Sequence, residues 1–393
     1  MQTKAKEKIN IVTLGCAKNL VDSEVLMTQL KGNKKDVFHQ REDINPDIVI
    51  INTCGFIDKA KQESIDTILK HAKEKEDGII KKLYVTGCLS ERYKDDLKTD
   101  IPEVDGFYGT RDLPELLKNF EAKYRNELLG DRIITTDSHY AYLKISEGCD
   151  RPCSFCAIPL MRGRHISKPI DQIILEAKNL VRNGVREIML IAQDSTYYGI
   201  DIYKKRAMSE LLKKLSDVEG LDWIRIHYAY PAGFPMDIIE VMRERDNICN
   251  YLDIPLQHGS TNMLKVMKRG ITREKTDELI KNIRDINPEI ALRTTLIAGH
   301  PGETERDFQE MYDFVERSQF DRLGIFTYSH EEGTSAHKLE DDVPEQVKRS
   351  RSNKIMALQQ KISTEKNKNK VGKTVKVLVC LLYTSPSPRD LYR

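Results

Sequence analysis

No run of apolar residues in this 393-residue chain is long enough to span a bilayer, since a crossing helix needs about 20 of them. The amino terminus, Met1-Gln-Thr-Lys-Ala-Lys-Glu-Lys8, lacks the apolar core of a secretion signal and leads straight into a strand-like run. An excess of either charge is also missing: 63 Lys and Arg face 61 Asp and Glu, a net of +2. Such balance excludes neither a nucleic-acid nor a protein partner, because a small net charge hides local patches. Cysteine is sparse, 8 in all, and nothing supports a secreted disulfide framework, so reduced thiols or metal ligands are expected. Together these absences predict a cytoplasmic protein with no membrane partner. What is present, 39% hydrophobic and 32% charged residues, suits a soluble chain with real cores, and the length suggests two or three domains.

Three of the cysteines are concentrated in Glu147-Gly-Cys-Asp-Arg-Pro-Cys-Ser-Phe-Cys-Ala157. Cys149, Cys153 and Cys156, spaced four and then three residues apart, suit three irons of a 4Fe–4S cubane held by thiolates. No fourth ligand follows locally, which leaves one iron open for a substrate or cofactor. Zinc is the competing reading, but structural zinc takes four ligands, often as two Cys-x2-Cys pairs, and no second pair follows here. A chance cluster of buried thiols is the remaining alternative. An open iron needs a partner that uses an electron, and S-adenosylmethionine is such a partner: it chelates iron through its amino and carboxylate groups and yields a 5′-deoxyadenosyl radical. The protein then supplies orientation and exclusion of water. Phe155, just before the last cysteine, is placed to cover adenine or shield the cluster, or simply to pack in the core.

Strand and helix patterns alternate along the chain, which favours α/β architecture with parallel sheets. In the first segment Ile9–Leu14, Asp47–Ile51 and Leu83–Thr86 read as strands, with helices over Asp22–Leu30, around Ile65–Leu69 and over Leu113–Tyr124. Each strand runs into a cysteine: Cys16, Cys54 and Cys88. Sites in open α/β sheets form beyond the carboxyl ends of the strands, so these three thiols are expected to meet at one sheet edge. From about Tyr140 to Ile362 six further strand–helix units suggest a curved parallel sheet, an incomplete relative of the eightfold barrel, with its chemistry at the strand carboxyl ends. Its strands are read at Ala141–Ser146, Glu187–Ala192, Trp223–Tyr228, Tyr251–Ile254, Ala291–Ala298 and Leu323–Tyr328. From Pro344 to Lys376 a helix and linker hold ten Lys or Arg against Glu345 and Glu365, either a solvated face or a surface toward RNA or the ribosome.

These motifs resemble the radical S-adenosylmethionine methylthiotransferase family. The resemblance rests on the cysteine triplet with Phe155, on Gly15-Cys-Ala-Lys-Asn-Leu-Val-Asp-Ser-Glu24, on Asn52-Thr-Cys-Gly-Phe56 and on Thr86-Gly-Cys-Leu89. Arg162-Gly163, Ala192-Gln-Asp194, Ile254-Pro-Leu-Gln-His258 and Gly299-His-Pro-Gly-Glu-Thr304 extend it from Ile9 to about Val379. Lys168 stands where the family commonly has Arg. The resemblance implies an amino-terminal open-sheet domain at 1–135 and a radical-type partial barrel at 136–365. It also implies the start of a truncated carboxyl-terminal β-barrel of the TRAM type at 366–379. Residues 380–393 resemble a translated sequencing-adapter tail and are read as non-native.

Two 4Fe–4S clusters and S-adenosylmethionine are the implied cofactors, with Cys16, Cys54 and Cys88 holding the second cluster. That cluster would carry the methylthio group, while the one on Cys149, Cys153 and Cys156 generates the radical that activates an unactivated carbon. Gln193, Asp194, Gly299 and Glu303 join Phe155 as implied cofactor contacts. Glycine permits close backbone approach, although Pro301-Gly302 alone is a turn signal and Thr304 a helix cap. His227, His258 and His330 read as structural, and Cys249 as an inert thiol. Lys18 and Val21 match the branch that modifies the β-carbon of an aspartate in small-subunit ribosomal protein S-twelve. The implied partners are that protein, on or near the ribosome, and an electron donor. A transfer-RNA adenosine methylthiotransferase is the alternative, and a zinc-stabilised RNA-binding protein without catalysis the third reading.

Overall fold

The computed structural model describes residues 7–378; the adapter-like stretch 380–393 lies outside them. Five parallel strands, β1 (Lys8–Thr13), β2 (Asp36–His39), β3 (Ile48–Thr53), β4 (Lys82–Gly87) and β5 (Gly106–Phe107), form the first sheet in the order β2-β1-β3-β4-β5. Every strand pairing in it is parallel. The order reverses between β1 and β3, the point of a doubly wound sheet where a crevice opens beyond the strand carboxyl ends. Strand β3 is central, and Ile48-Val-Ile-Ile51 is buried on both faces. Ile48 and Ile50 pack with Leu26 and Leu30 of helix α1 (Ala17–Gly32) on one side. Val49 and Ile51 pack with Ile68 of helix α2 (Asp58–Glu76) on the other, as the twofold strand period requires. Helix α3 (Cys88–Asp100) follows β4 directly.

The second sheet is built from β6 (Tyr140–Lys144) and, after a short β7 (Ser146–Glu147) and β8 (Ile166–Ser167), from β9 (Glu187–Ile191), β10 (Trp223–Ile226), β11 (Ile248–Asp253), β12 (Ala291–Ala298) and β13 (Arg322–Thr327). Its six strands lie in sequential order, all parallel, and the sheet stays open. Leu143, Leu190, Ile226, Leu252 and Leu292 face a single apolar core shared with the surrounding helices. The alternate positions Tyr142, Met189, Arg225, Tyr251 and Arg293 are only half-buried.

The basic carboxyl-terminal helix, Glu345–Lys368, packs Ile355, Leu358 and Ile362 into that core. Two of its cations are structural: Lys348 pairs with Asp341 at 2.7 Å and Arg351 with Glu303 at 2.8 Å. The helix runs past the expected domain boundary at 366, and residues 369–378 form no strand.

A buried ion trio ties the two sheets' domains together. Arg132, in the connecting segment, lies 2.9 Å from Glu24 of α1 and 2.8 Å from Glu176 of the helix Ile170–Arg182. Glu176 also takes Lys168 at 2.7 Å. Burial raises the Glu24 carboxyl above its ordinary value, against the pull of Arg132. Removing the shared cation leaves the buried Glu24 without a cation and Glu176 with Lys168 alone, at a cost of about 3–5 kcal/mol. Arg132→Met is therefore expected to lower the urea midpoint of unfolding. The deficit grows as pH rises, because an unpaired buried carboxyl has its folded pKa raised and is lost as a stabilising neutral group above it. A midpoint unchanged at any pH contradicts this tie.

Candidate functional site

Cys16 caps α1 just beyond β1, Cys54 follows β3 and Cys88 begins α3 just beyond β4. Three strand ends thus deliver three thiols to one crevice. Asn19 holds them in register. Its Nδ2 donates to Leu14 O at 2.8 Å and Thr53 O at 2.9 Å, and its Oδ1 lies 3.7 Å from the Cys88 thiol. Asn52 returns a bond to Asn19 O at 2.8 Å. The loops touch so closely that side chains are excluded. A Cβ on Gly15 would sit 2.6 Å from Cys54 Cβ, and one on Gly87 would sit 2.6 Å from Thr53 O. Both glycines also have positive φ, +87° and +100°, which other residues adopt only with strain.

The second trio sits on a loop pinched at its base. Strands β7 and β8 pair antiparallel, and Cys149 N donates to Gly163 O at 3.0 Å. Ser154 N donates to Met267 O at 3.1 Å, and Ser154 Oγ lies 3.2 Å from His300 Nε2. Arg269 donates to Cys153 Sγ at 3.1 Å, and Tyr230 OH lies 3.9 Å from the same sulfur. The Tyr230 ring stacks between Arg151 at 4.1 Å and Arg269 at 4.3 Å.

The two trios are neighbours. Cys88 packs against Ala157 and Met161, directly after Cys156. Arg162, 1% exposed, reaches from the second loop into the first domain: it bonds Asn19 Oδ1 and pairs with Asp22 at 2.8 Å and with Glu147 at 3.0 Å. Lys144 joins the same two carboxylates. Burial opposes charge on Glu147, but Lys144 and Arg162 outweigh it and hold its carboxyl down to about 2.

Burial pushes the Cys88 thiol up to about 12, with Cys16 and Cys54 adding to it and Arg162 opposing. Burial likewise lifts Cys156 to about 12 and Cys149 to about 11, helped in each case by the adjacent Cys153. Buried thiols grouped this way stay neutral until a metal displaces their protons. Among the described residues no three Cys, His, Asp or Glu side chains converge on a point where one metal ion would be held. A tetrahedral zinc needs thiolates about 3.8 Å apart, given Zn–S bonds of about 2.3 Å. A cubane spreads its ligating sulfurs more widely, and an all-thiol donor set with a cationic N–H donor at one sulfur suits iron–sulfur chemistry.

The other expected contacts fall in two groups. Phe155 is half-buried, edge-on to His300 with ring centroids 6.4 Å apart. Gln193 donates to Glu147 at 3.1 Å and leaves its Oε1 without a partner. Asp194, by contrast, is fully engaged: one oxygen caps Thr196 N at 2.9 Å and the other holds Arg151 at 2.7 Å. Gly299 N donates to Glu303 at 2.7 Å, and a Cβ at Gly299 would strike Lys348. Glu303 pairs with Arg351, so this loop anchors the carboxyl-terminal helix. His258 is buried beside Glu303 and accepts from Ser260 N at 2.9 Å. Lys144, Tyr230 and Arg269 had no motif to mark them, and Asp22 and Arg151 lay inside motifs without an assigned role; their roles come from spatial convergence.

Residues 143–315 match the family model of the radical SAM superfamily, and residues 8–109 match the uncharacterized protein family UPF0004. The chain is 61% identical to a ribosomal protein uS12 methylthiotransferase RimO of Cytophaga hutchinsonii, over 95% of this chain and 85% of that one. It is 58% identical to the protein of that name from Flavobacterium psychrophilum, over 96% and 87%, and 54% to that of Bacteroides fragilis, over 95% and 87%. In fold it is similar to the radical S-adenosylmethionine methyltransferase TsrM of Kitasatospora setae, with a TM-score of 0.61, 15% identity and coverage of 82% and 75%. It is also similar to the cobalamin-dependent radical enzyme OxsB, with a TM-score of 0.56, 14% identity and coverage of 92% and 56%.

Hydrogen bonds to cluster sulfurs are among the levers that set reduction potential. If the Cys153 trio holds a cluster, Arg269→Met is expected to make its potential more negative in a spectroelectrochemical titration, and Arg269→Lys to restore part of the shift. An unmoved potential contradicts the Arg269–Cys153 contact.

Proposed function

The chain belongs to the ribosomal protein uS12 methylthiotransferases of the radical S-adenosylmethionine superfamily, and we propose that it performs the transfer with two iron–sulfur clusters, one on each cysteine trio. It is an enzyme that modifies ribosomal protein uS12, and membership of the superfamily brings one 4Fe–4S cluster and S-adenosylmethionine. Cys149, Cys153 and Cys156 hold that cluster. Cys16, Cys54 and Cys88 hold the second, a reading supported by one observation above others: three strand ends present three thiols around Asn19, next to the loop of the first trio. When bound, the clusters and S-adenosylmethionine supply the one-electron chemistry and the sulfur.

The residues of the chain do the rest. Arg162 fixes one trio against the other through Asn19, Asp22 and Glu147. Arg269 and Tyr230 flank the sulfur of Cys153. Gln193 offers a free acceptor beside Glu147, suited to an ammonium or hydroxyl of S-adenosylmethionine, and Phe155 offers a ring face for adenine. Asp194 acts by positioning Arg151, and any contact from the Gly299–Glu303 loop comes through its backbone. Residues 1–135 thus carry the sulfur and 136–365 the radical. The target is the β-carbon of an aspartate in uS12, reached in the cytoplasm on or near the ribosome, with a separate electron donor. No helix among the described residues is long and apolar enough to cross a membrane. Transfer RNA is not the favoured substrate, since the relatives reported above are all named for uS12.

Anaerobically reconstituted wild-type enzyme should hold about eight irons per chain, two cubanes' worth. A variant with Cys16, Cys54 and Cys88 all changed to Ala should hold about four irons. It should still cleave S-adenosylmethionine to 5′-deoxyadenosine and leave uS12 unmodified by mass spectrometry. Methylthio transfer by that variant sinks the two-cluster reading, and labelling of transfer RNA in place of uS12 sinks the substrate.

A further inference from the structure

Lys18 lies two residues beyond Cys16 and is only 8% exposed. Its ammonium has three donors to satisfy, yet among the described residues it makes no hydrogen bond and no salt bridge. Its close contact is the ring of Tyr228, whose centroid lies 3.4 Å from Nζ. The carboxylates nearest to it are already taken. Glu147 accepts from Lys144, Arg162, Gln193 and Gly148 N. Asp253 accepts from Arg293 at 3.0 Å and from Tyr228 N at 3.3 Å. A buried cation left with an aromatic face alone is under-satisfied, and the arrangement lacks an anion.

The platform under Lys18 is itself held in place. Tyr228 has φ +62°, the left-handed region that costs an aromatic residue strain. Its carbonyl accepts from Ser195 N at 3.0 Å and Ser195 Oγ at 3.2 Å, which locks that conformation just beyond β10. The ring of the second domain and the ammonium of the first thus meet near the start of the helix that Cys16 caps.

We propose that Lys18 is the carboxylate anchor for the substrate: it binds the side chain of the target aspartate of uS12 and fixes the adjoining β-carbon between the two cysteine trios. The proposal rests on the substrate reading above and adds to it the residue that tells acid from amide. An aspartate carboxylate is one bond from its β-carbon, so a salt bridge to a buried, aromatic-backed ammonium leaves that carbon little freedom. A charge-assisted bond of this kind also rejects the neutral amide, because the ammonium would stay unpaired.

The test uses full-length holoenzyme with uS12 and with uS12 whose target aspartate is replaced by asparagine. Equilibrium binding is measured without reductant, and methylthio transfer with it. Wild type should bind the aspartate form at least about 30-fold more tightly than the asparagine form, the range for breaking a buried charge pair. Lys18→Met should shrink that ratio to near unity with iron content unchanged, and Lys18→Arg should recover part of it. A Lys18→Met enzyme that keeps the full preference overturns the proposal. So does one that loses iron from the Cys16 trio, since Lys18 would then serve the metal site. Wild-type enzyme that leaves uS12 unmodified overturns the substrate reading itself, whatever Lys18 does.

Discussion

A single buried guanidinium, that of Arg162, holds the two halves of the site to each other. It comes from the loop that carries Cys149, Cys153 and Cys156, and it ends among Asn19, Asp22 and Glu147. Asn19 in turn positions the loops of Cys16 and Cys54 and touches the Cys88 thiol. A guanidinium suits this post because it stays charged under burial and its planar fork reaches several acceptors at once. Its two carboxylate partners also take Lys144, so charge within the cluster is balanced and each oxygen has a donor. A shorter or more flexible cation would satisfy fewer of these groups.

The first sheet explains why its thiols converge. In a doubly wound sheet the chain leaves β1 and β3 toward opposite faces, and the crevice between them is the natural place for a ligand. Gly15 and Gly87 let the three loops close on one another there, at contacts no side chain could share. The second sheet contributes its own strand ends, and Tyr228 just beyond β10 meets Lys18 of the first domain. Burial keeps the Cys88 and Cys156 thiols neutral when unmetallated, so loading must expel their protons and metal binding will strengthen as pH rises. The ion trio around Arg132 and the pairing of Glu331 with Lys61 at 3.0 Å and Arg92 at 2.9 Å fasten the two domains at further points.

Much of this was legible in the sequence where apolar periodicity was strong. The strand Ala291–Ala298 has the bounds its pattern predicts, and Thr304 caps its helix with Asp307 closing a capping box. Helix α1 was harder: it begins at Ala17, not near Asp22, because Lys18 and Asn19 are polar residues buried for the site's sake. Helix α3 escaped notice since its few apolar residues, Leu89 and Leu97, flank a break at Tyr93. The six cysteines stood out by spacing and by their position after strands. The roles of Asp22, Lys144, Arg151 and Arg269 did not, since each acts through a partner far away in sequence. Gly299 and Glu303 looked like ligand-facing residues by motif, yet their close contacts are Lys348 and Arg351 of the carboxyl-terminal helix.

The central claim is that two clusters sit side by side across the Arg162 contact. Electron paramagnetic resonance of the fully reduced enzyme tests it most directly. Two neighbouring reduced clusters should give a broadened, spin-coupled signal that collapses to a simple single-cluster spectrum when either cysteine trio is replaced by alanine. A wild-type spectrum equal to the plain sum of the two single-trio spectra would contradict the account.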